Sequence, residues 1–238
     1  MVGLRWYQPP GILARIVRET PTFDPGFEVA TPANPGVPDL PMIPRRANLM
    51  PMSNPGRWKE VATEFLQDCR VFTVSRATAE PPGGGKRHDF FRIDSVDWAN
   101  IVPITADREV VMVRQYRHGT RDVTLEIPGG MVDPGEDPAA AAARELLEET
   151  GFRAGVVQKL GTVNPNPALF GNRLHCFATF DCEPVAEIRN DEREETVVEL
   201  VPEAQLREIV AEGRVDHALV IAALHFLELT REREVRGC

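Results

Sequence analysis

The sequence predicts an α/β domain behind an extended N-terminal arm, on three observations. Eleven of the 21 prolines fall between Pro9 and Pro55, a density that forbids long helices and strips donors from any strand ladder. From Arg70 to Val201 short apolar or alternating runs recur between turn residues, as strands do. An alanine-rich segment with helix start and stop signals interrupts that series, and two more helical segments close the chain. With 238 residues, 42% hydrophobic and 26% charged, the composition is that of a globular protein long enough to bury a core.

Residues 1–56 read as the arm and 57–238 as the domain. Trp6, Tyr7, Phe23 and Phe27 give the arm apolar anchors that disordered tails lack. Trp58, Val61, Phe65 and Leu66 lie near one face at helical spacing, so a helix is expected over residues 58–66. Residues 70–77 alternate apolar and polar and read as a strand; residues 81–85, Pro-Pro-Gly-Gly-Gly, form a turn or loop. Strands follow at 90–96, 98–104, 109–116 and 123–127, with Asp107-Arg108 as a hairpin turn. A helix over 138–150 has Asp137 as its N-cap, Pro138 at its first position, five alanines after it and Gly151 to end it. Strands return at 156–163, 173–180 and 196–201. One helix begins near Pro202, and another follows Asp216 with Ala218, Leu219, Ile221, Ala222, Leu224 and Phe226 among its residues.

Charge and composition exclude several functions. Against 27 Lys and Arg stand 36 Asp and Glu, a formal net charge of −9, so the chain lacks the basic surface that a sequence-independent grip on nucleic acid requires. No uncharged apolar stretch approaches the roughly 18–20 residues that span a bilayer, and the first ten residues carry no basic-then-apolar signal pattern. Cys69, Cys176, Cys182 and Cys238 form neither a CxxC pair nor a dense framework. A reduced, cytoplasmic protein is the expectation.

The chemistry is concentrated between Gly129 and Phe152. On the helix over 138–150, Glu145, Glu148 and Glu149 fall within an arc of about 100°, while Ala139, Ala143, Leu146, Leu147 and Thr150 lie opposite and are expected to face the core. Three carboxylates on one stripe repel unless a positive group intervenes. Arg144 stands four residues before Glu148, close enough to pair with it. A solvated acidic face explains such a stripe on most helices. Here it must also account for the Gly-rich loop, for Glu136 within that loop and for Arg144. Clustered carboxylates on a rigid element are what Mg²⁺ or Mn²⁺ requires.

These residues resemble the Nudix family. Gly130, Glu136, Arg144-Glu145-Leu146, Glu148-Glu149 and Gly151-Phe152 match every fixed or class-restricted position of the Nudix box, nine positions over 23 residues. The resemblance extends from about residue 58 to the C-terminus and leaves out residues 1–56. It implies an α/β/α sandwich with a mixed sheet, and hydrolysis of a nucleoside diphosphate linked to another moiety with Mg²⁺ or Mn²⁺. It implies Glu145 and Glu149 as principal metal ligands, Glu148 as a further ligand or metal-water base, the carbonyl of Gly129 as a backbone ligand, and Glu136 and Arg144 as groups that orient the loop and the carboxylates.

Upstream, the segments Val113-Arg114-Gln115-Tyr116-Arg117 and Leu125-Glu126-Ile127-Pro128-Gly129-Gly130 are similar to the ADP-ribose pyrophosphatase branch. Either Arg114 or Arg117 offers a fork for a diphosphate. Strand alternation puts Arg117 on the face of Gln115 and opposite Arg114, which favours Arg117 for substrate. A strand-end pair with Glu126 is the structural alternative, and Glu126 can support a metal or Arg117. His118 is a further candidate substrate contact, and His175, set among apolar residues, reads as structural. Downstream, Ala168 and Asn172 stand where that branch often has Gly and Glu. Glu192, Glu194 or Glu195 is the alternative source of the last catalytic carboxylate, although a charge run of this kind is usually only a solvated loop. The reading that follows is a hydrolase of nucleoside diphosphate sugars such as ADP-ribose. It is set beside a Nudix-fold sensor of nucleotide sugars and a house-cleaning nucleoside triphosphate pyrophosphatase. A homodimer is plausible for this branch.

Overall fold

The computed structural model describes residues 55–190 and 195–237. All but the last two residues of the proposed arm, and Glu192 and Glu194, lie outside them.

The chain opens not on a helix but on strand β1 (Lys59–Asp68), which pairs antiparallel with β2 (Thr73–Glu80), itself paired with β3 (His88–Asp94). The helical spacing of Trp58, Val61, Phe65 and Leu66 is produced by two β-bulges, between Glu60 and Ala62 and between Phe65 and Gln67. Each bulge adds a residue and resets the two-residue alternation, so apolar side chains recur at three and four positions. The turn that joins β1 to β2 holds Arg70 at φ 68° and closes with the Cys69 N–H donating to Phe72 O at 2.9 Å. This places the start of β2 three residues later than expected.

The main sheet is mixed and seven-stranded. It comprises β4 (Trp98–Ile104), β5 (Glu109–Arg117), β6 (Asp122–Glu126), β7 (Gly129–Met131), β9 (Val157–Val163), β10 (Leu174–Phe180) and β12 (Thr196–Pro202). The order is β12-β5-β4-β10-β9, with β10 parallel to β4 and the other pairs antiparallel. The β4–β5 hairpin turns where expected, with Arg108 at φ 61° and its N–H donating to Thr105 O at 3.0 Å. Beyond Ile104 and Val110 the two strands part; β6 continues the ladder on β5 and β7 continues it on β4. Two-residue strands β8 (Phe152–Arg153) and β11 (Glu183–Pro184) pair beside the sheet.

Alternation on the central strands sends apolar groups to both faces. Val102, Ile104, Val110, Met112, Leu174 and Cys176 pack with Ile209 of α2 (Leu206–Ala211) and with Val220, Ala223, Leu224 and Leu227 of α3 (Ala218–Arg236). Ala99, Ile101, Val111, Phe177, Val198 and Leu200 pack on the other face with Ala141, Ala142 and Leu146 of α1 (Pro138–Thr150). The result is the α/β/α sandwich, with a 3₁₀ turn (Glu203–Gln205) leading into α2.

Helix α1 forms as its sequence dictates. The Asp137 side chain accepts from Ala139 N at 2.7 Å, Pro138 occupies the first turn, and Gly151 ends the helix at φ 73° with its N–H on Leu147 O. A Cβ at Gly151 would meet Ala186 O at 2.1 Å, so both backbone angle and space require glycine. The buried face differs from the expected one. Ala141, Ala142, Leu146, Glu149 and Thr150 are buried, whereas Leu147 is exposed. The helix is rotated so that Glu149 enters the seam between α1 and β7 instead of standing in an open stripe.

Candidate active site

The loop between β7 and α1 is tied to α1 by Arg144. Its Nε and Nη2 donate to the two oxygens of Glu136 at 3.0 and 3.1 Å, and Nη2 also donates to Met131 O at 3.1 Å. Nη1 donates to Glu145 Oε1 at 2.8 Å and to Glu148 Oε2 at 3.1 Å. Glu136 in turn accepts from the Asp133 N–H at 3.0 Å. The Arg144 fork holds the Glu136 carboxyl below the usual carboxylate range, and Glu136 with Glu145 raises the guanidinium further above its already high value. Four charged side chains thus form one half-buried network in which each anion has a positive partner.

Glu149 is 4% exposed and accepts from the Gly129 N–H at 3.1 Å. Gly129 stands opposite Asn100 in the β4–β7 ladder, and Ile101 N donates to Pro128 O. In this register Gly129 belongs to a non-hydrogen-bonded pair, so its N–H and C=O both point away from β4, toward the open edge of β7. Gly130, on the next position, backs onto Glu145. A Cβ there would lie 2.5 Å from Glu145 Oε1.

The opposite wall is built by β5 and β6. Arg117 Nε and Nη2 donate to the two oxygens of Glu126, each at 2.8 Å, and the Thr124 hydroxyl also donates to Glu126. Burial by itself would raise the Glu126 pKa, but the Arg117 fork, His217 and Thr124 together hold the carboxyl well below its ordinary range. His217 Nδ1 lies 3.2 Å from Glu126 Oε2 without the alignment of a hydrogen bond. Arg114, on the other side of β5, donates to the buried Glu199 of β12 at 2.6 Å.

Between these walls lies a cavity of about 880 Å³, within the size range of small-molecule sites. Arg117, Glu126, Gly129, Arg144, Glu145, Glu148 and Glu149 line it, as does His118. Glu136 reaches it only through Arg144. Arg114 does not line it; the Arg114–Glu199 pair joins neighbouring strands β5 and β12. Asn172 is also outside, buried with Nδ2 on Val96 O at 2.9 Å. Glu195 is exposed and does not line the cavity either. His175 bonds Asp97 and Thr162 and belongs to the sheet. Sequence reasoning missed Asn100, Arg189, Asn190, Asp216 and His217, which come to the cavity from separate segments of the chain. Only the position of Asp216 and His217 at the start of a long helix was a signal for any of them.

Among the described residues, no three His, Cys, Asp or Glu side chains are already gathered into a metal cage. Glu145 and Glu148 instead share the Arg144 Nη1. The donor set nevertheless suits a hard divalent cation, since it offers three carboxylates on adjacent turns of one rigid helix beside an outward backbone carbonyl. Two carboxylate oxygens, Glu145 Oε1 and Glu148 Oε2, converge on the single Arg144 Nη1.

A family model, the NUDIX domain, matches residues 96–224. The chain belongs to the Nudix family. Among curated Nudix relatives, the CMP-5'-(N-acetyl-N-hydroxy-3-aminopropyl)phosphonate hydrolase of Streptomyces rubellomurinus is 37% identical over 51% of this chain, which spans 58% of that protein. The ADP compounds hydrolase NudE of Escherichia coli is 30% identical over 68% of this chain and 86% of its own length. A crystal structure of an ADP compounds hydrolase superposes with a TM-score of 0.68 at 26% identity, covering 76% of this chain and 98% of that one. The box glutamates, Arg144 and the glycines of β7 all fall inside the matched Nudix segment.

Proposed function

We propose that this Nudix protein is a divalent-metal-dependent hydrolase of the diphosphate bond in nucleoside diphosphate sugars, ADP-ribose or a close relative, yielding a nucleoside monophosphate and a sugar phosphate. The observation that carries the reading is the pairing of walls in one cavity: the α1 glutamates with Gly129 on one side, the Arg117 fork on the other. Relatives described as hydrolases of ADP compounds support it.

Glu145, Glu149 and the Gly129 carbonyl would hold Mg²⁺ or Mn²⁺, with Glu148 as a further ligand or as the base for the attacking water. The bound cation would neutralise phosphate charge and acidify water. Arg144 draws Glu145 and Glu148 onto one nitrogen and so aims them, and Glu136 anchors Arg144 to the loop. Glu126 locks the Arg117 guanidinium at the cavity wall, where its charge meets the diphosphate without the entropy cost of ordering a long side chain. The substrate class is tested by hydrolysis of ADP-ribose, GDP-mannose, NADH, dinucleoside polyphosphates and nucleoside triphosphates with Mg²⁺ and with Mn²⁺. Nucleotide sugars are expected to have the highest kcat/KM; preference for triphosphates overturns the reading.

Gly130→Ala tests the packing of Glu145. The added methyl has nowhere to go but into that carboxylate, so kcat is expected to fall by about 100-fold, the scale of an ångström's misplacement. Far-ultraviolet circular dichroism should remain that of the wild type. Full activity in the Gly130→Ala variant would remove Glu145 from the reacting centre.

The protein is further proposed to act as a homodimer in the cytoplasm. In the β1–β2–β3 register, Phe65 and Phe90 share the face of Ser75 and Ala77. Trp58 stacks edge-on to Phe90, yet Trp58, Phe65 and Phe90 remain 47%, 63% and 45% exposed. Such an apolar patch marks an association surface. Light scattering should give twice the chain mass for wild type and the single-chain mass for a Phe65→Glu/Phe90→Glu variant; a monomeric wild type contradicts it. The free thiols of Cys176 and Cys182, each pushed up to about 12 by burial, fit a reducing compartment.

A further inference from the structure

The cavity has an apolar end that the diphosphate chemistry does not use. It is built on the β4–β7 ladder, where Trp98 stands opposite Met131 and Asn100 opposite Gly129. Residues directly opposite in a ladder share a face, and successive residues alternate. The Trp98–Met131 pair therefore stands on one face of β7, and Gly130, which backs onto Glu145, presents the other. Helix α3 packs on the face of Trp98, where Leu219 O accepts from Asn100 Nδ2 at 3.2 Å. Trp98, Met131 and Leu219 all line the cavity. The edge of β7 thus has the α1 carboxylates on one side and an apolar wall on the other.

The fold itself does not cover this wall. Trp98 packs against the core under α3 and meets the Phe170 ring edge-on, with centroids 5.7 Å apart. It is nevertheless only half-buried, and Met131 beside it is 42% exposed. An indole next to a thioether receives flat, polarisable groups well. The position fits as well as the chemistry. A strand rises about 3.3 Å per residue, so Met131 lies roughly 7 Å along β7 from Gly129, whose carbonyl points to the open edge. That is about the reach of one ribose between its 5′-phosphate and its base.

A nucleoside diphosphate sugar has one part that suits such a wall. Its phosphates are charged. Its sugars carry hydroxyls that would give up water for side chains with almost no hydrogen-bonding capacity. The base alone offers two apolar faces. We propose that Trp98, Met131 and Leu219 form the nucleobase subsite, in which the base lies against Trp98 and Met131 and the distal sugar is directed away from them. This rests on the nucleotide-sugar reading above. Such a wall reads the faces of a base and not its edges, so it selects strongly for the presence of a base and weakly among bases.

Met131→Thr and Trp98→Leu test the subsite in the full chain. Threonine suits a strand and Met131 is exposed, so the fold is kept. Leucine keeps an apolar contact for Phe170 and removes the ring. If Trp98→Leu does not fold, Met131→Thr carries the comparison alone. Affinity is measured by calorimetry in chelator for ADP-ribose, for an analogue with hydrogen in place of adenine, and for ADP, which lacks the distal ribose; kcat/KM with Mg²⁺ is compared for the first two. Wild type should bind the adenine-free analogue about tenfold more weakly than ADP-ribose. Trp98→Leu should lose about tenfold and Met131→Thr about threefold on ADP-ribose and ADP alike, and neither should lose affinity for the adenine-free analogue. Equal binding of ADP-ribose and the adenine-free analogue by wild type, or a loss in the variants that persists on that analogue, overturns the subsite. So does a loss on ADP-ribose that is absent on ADP, which would put the distal ribose against Trp98. Adenine-dependent binding without turnover in Mg²⁺ or Mn²⁺ leaves the subsite standing and overturns only the hydrolase reading.

Discussion

Glu149→Gln and Glu145→Gln are each expected to lower kcat by about a thousandfold, equivalent to ~4 kcal/mol of lost transition-state stabilisation. The amide keeps the shape of the carboxylate and its acceptor oxygen. The Gly129 N–H can therefore still bond residue 149, and the fold should persist. What is lost is the negative charge on which a divalent cation depends. Glu148→Gln should cost less, because Glu148 is 45% exposed and shares Arg144 with Glu145. Turnover of the three variants at saturating metal, together with their melting temperatures, checks this. Near-wild-type kcat in both Glu149→Gln and Glu145→Gln would sink the metal-site assignment.

Arg117→Lys should also be damaging, to a smaller extent and for a different reason. Arg117 holds Glu126 with two parallel bonds of 2.8 Å, and a lysine offers a point charge in place of that fork. Arg117 lines the cavity while Glu126 fixes its fork, so a lysine that turns to the buried Glu126 withdraws its charge from the diphosphate. The expected result is a fall in kcat/KM for nucleotide sugars of roughly 1–3 kcal/mol, that is, about 5- to 150-fold, with metal affinity unchanged. A purely structural Arg117–Glu126 pair predicts another pattern, in which Arg117→Lys and Glu126→Gln both melt earlier while the folded fraction retains full kcat/KM. Arg114→Lys serves as the contrast. Its partner is Glu199, outside the cavity, so it should lower melting temperature and leave kcat/KM intact. Should Arg114→Lys prove the more harmful to catalysis, the roles of the two strand faces are inverted.

What was legible in the chain was whatever local chemistry decides. Asp137, Pro138 and Gly151 set the limits of α1 within a few residues of sequence, and the strand periods of residues 98–104 and 109–116 match the strands that form. Bulges in β1 hid a strand behind a helical spacing, because periodicity assumes a regular ladder. The rotation of α1 was equally hidden. Spacing places Glu149 relative to Leu147, but only the position of β7 decides which of them is buried. Arg114 and Glu199, 85 residues apart, meet because β12 lies beside β5. The cavity wall made by Asn100 and His217 depends on α3 packing against β4. Neither residue stands in a motif, so no reading of neighbours along the chain leads to them.

The most direct measurement follows a nucleoside diphosphate sugar through turnover with Mg²⁺ or Mn²⁺ in ¹⁸O-water and weighs both products by mass spectrometry. A nucleoside monophosphate and a sugar phosphate are expected, with one ¹⁸O in the phosphate of one of them, and both products should form about a thousandfold more slowly with Glu149→Gln. Release of a nucleoside diphosphate and a free sugar, which requires cleavage of the sugar–phosphate linkage instead of the diphosphate bond, or no turnover of any nucleotide sugar, would contradict the hydrolase reading.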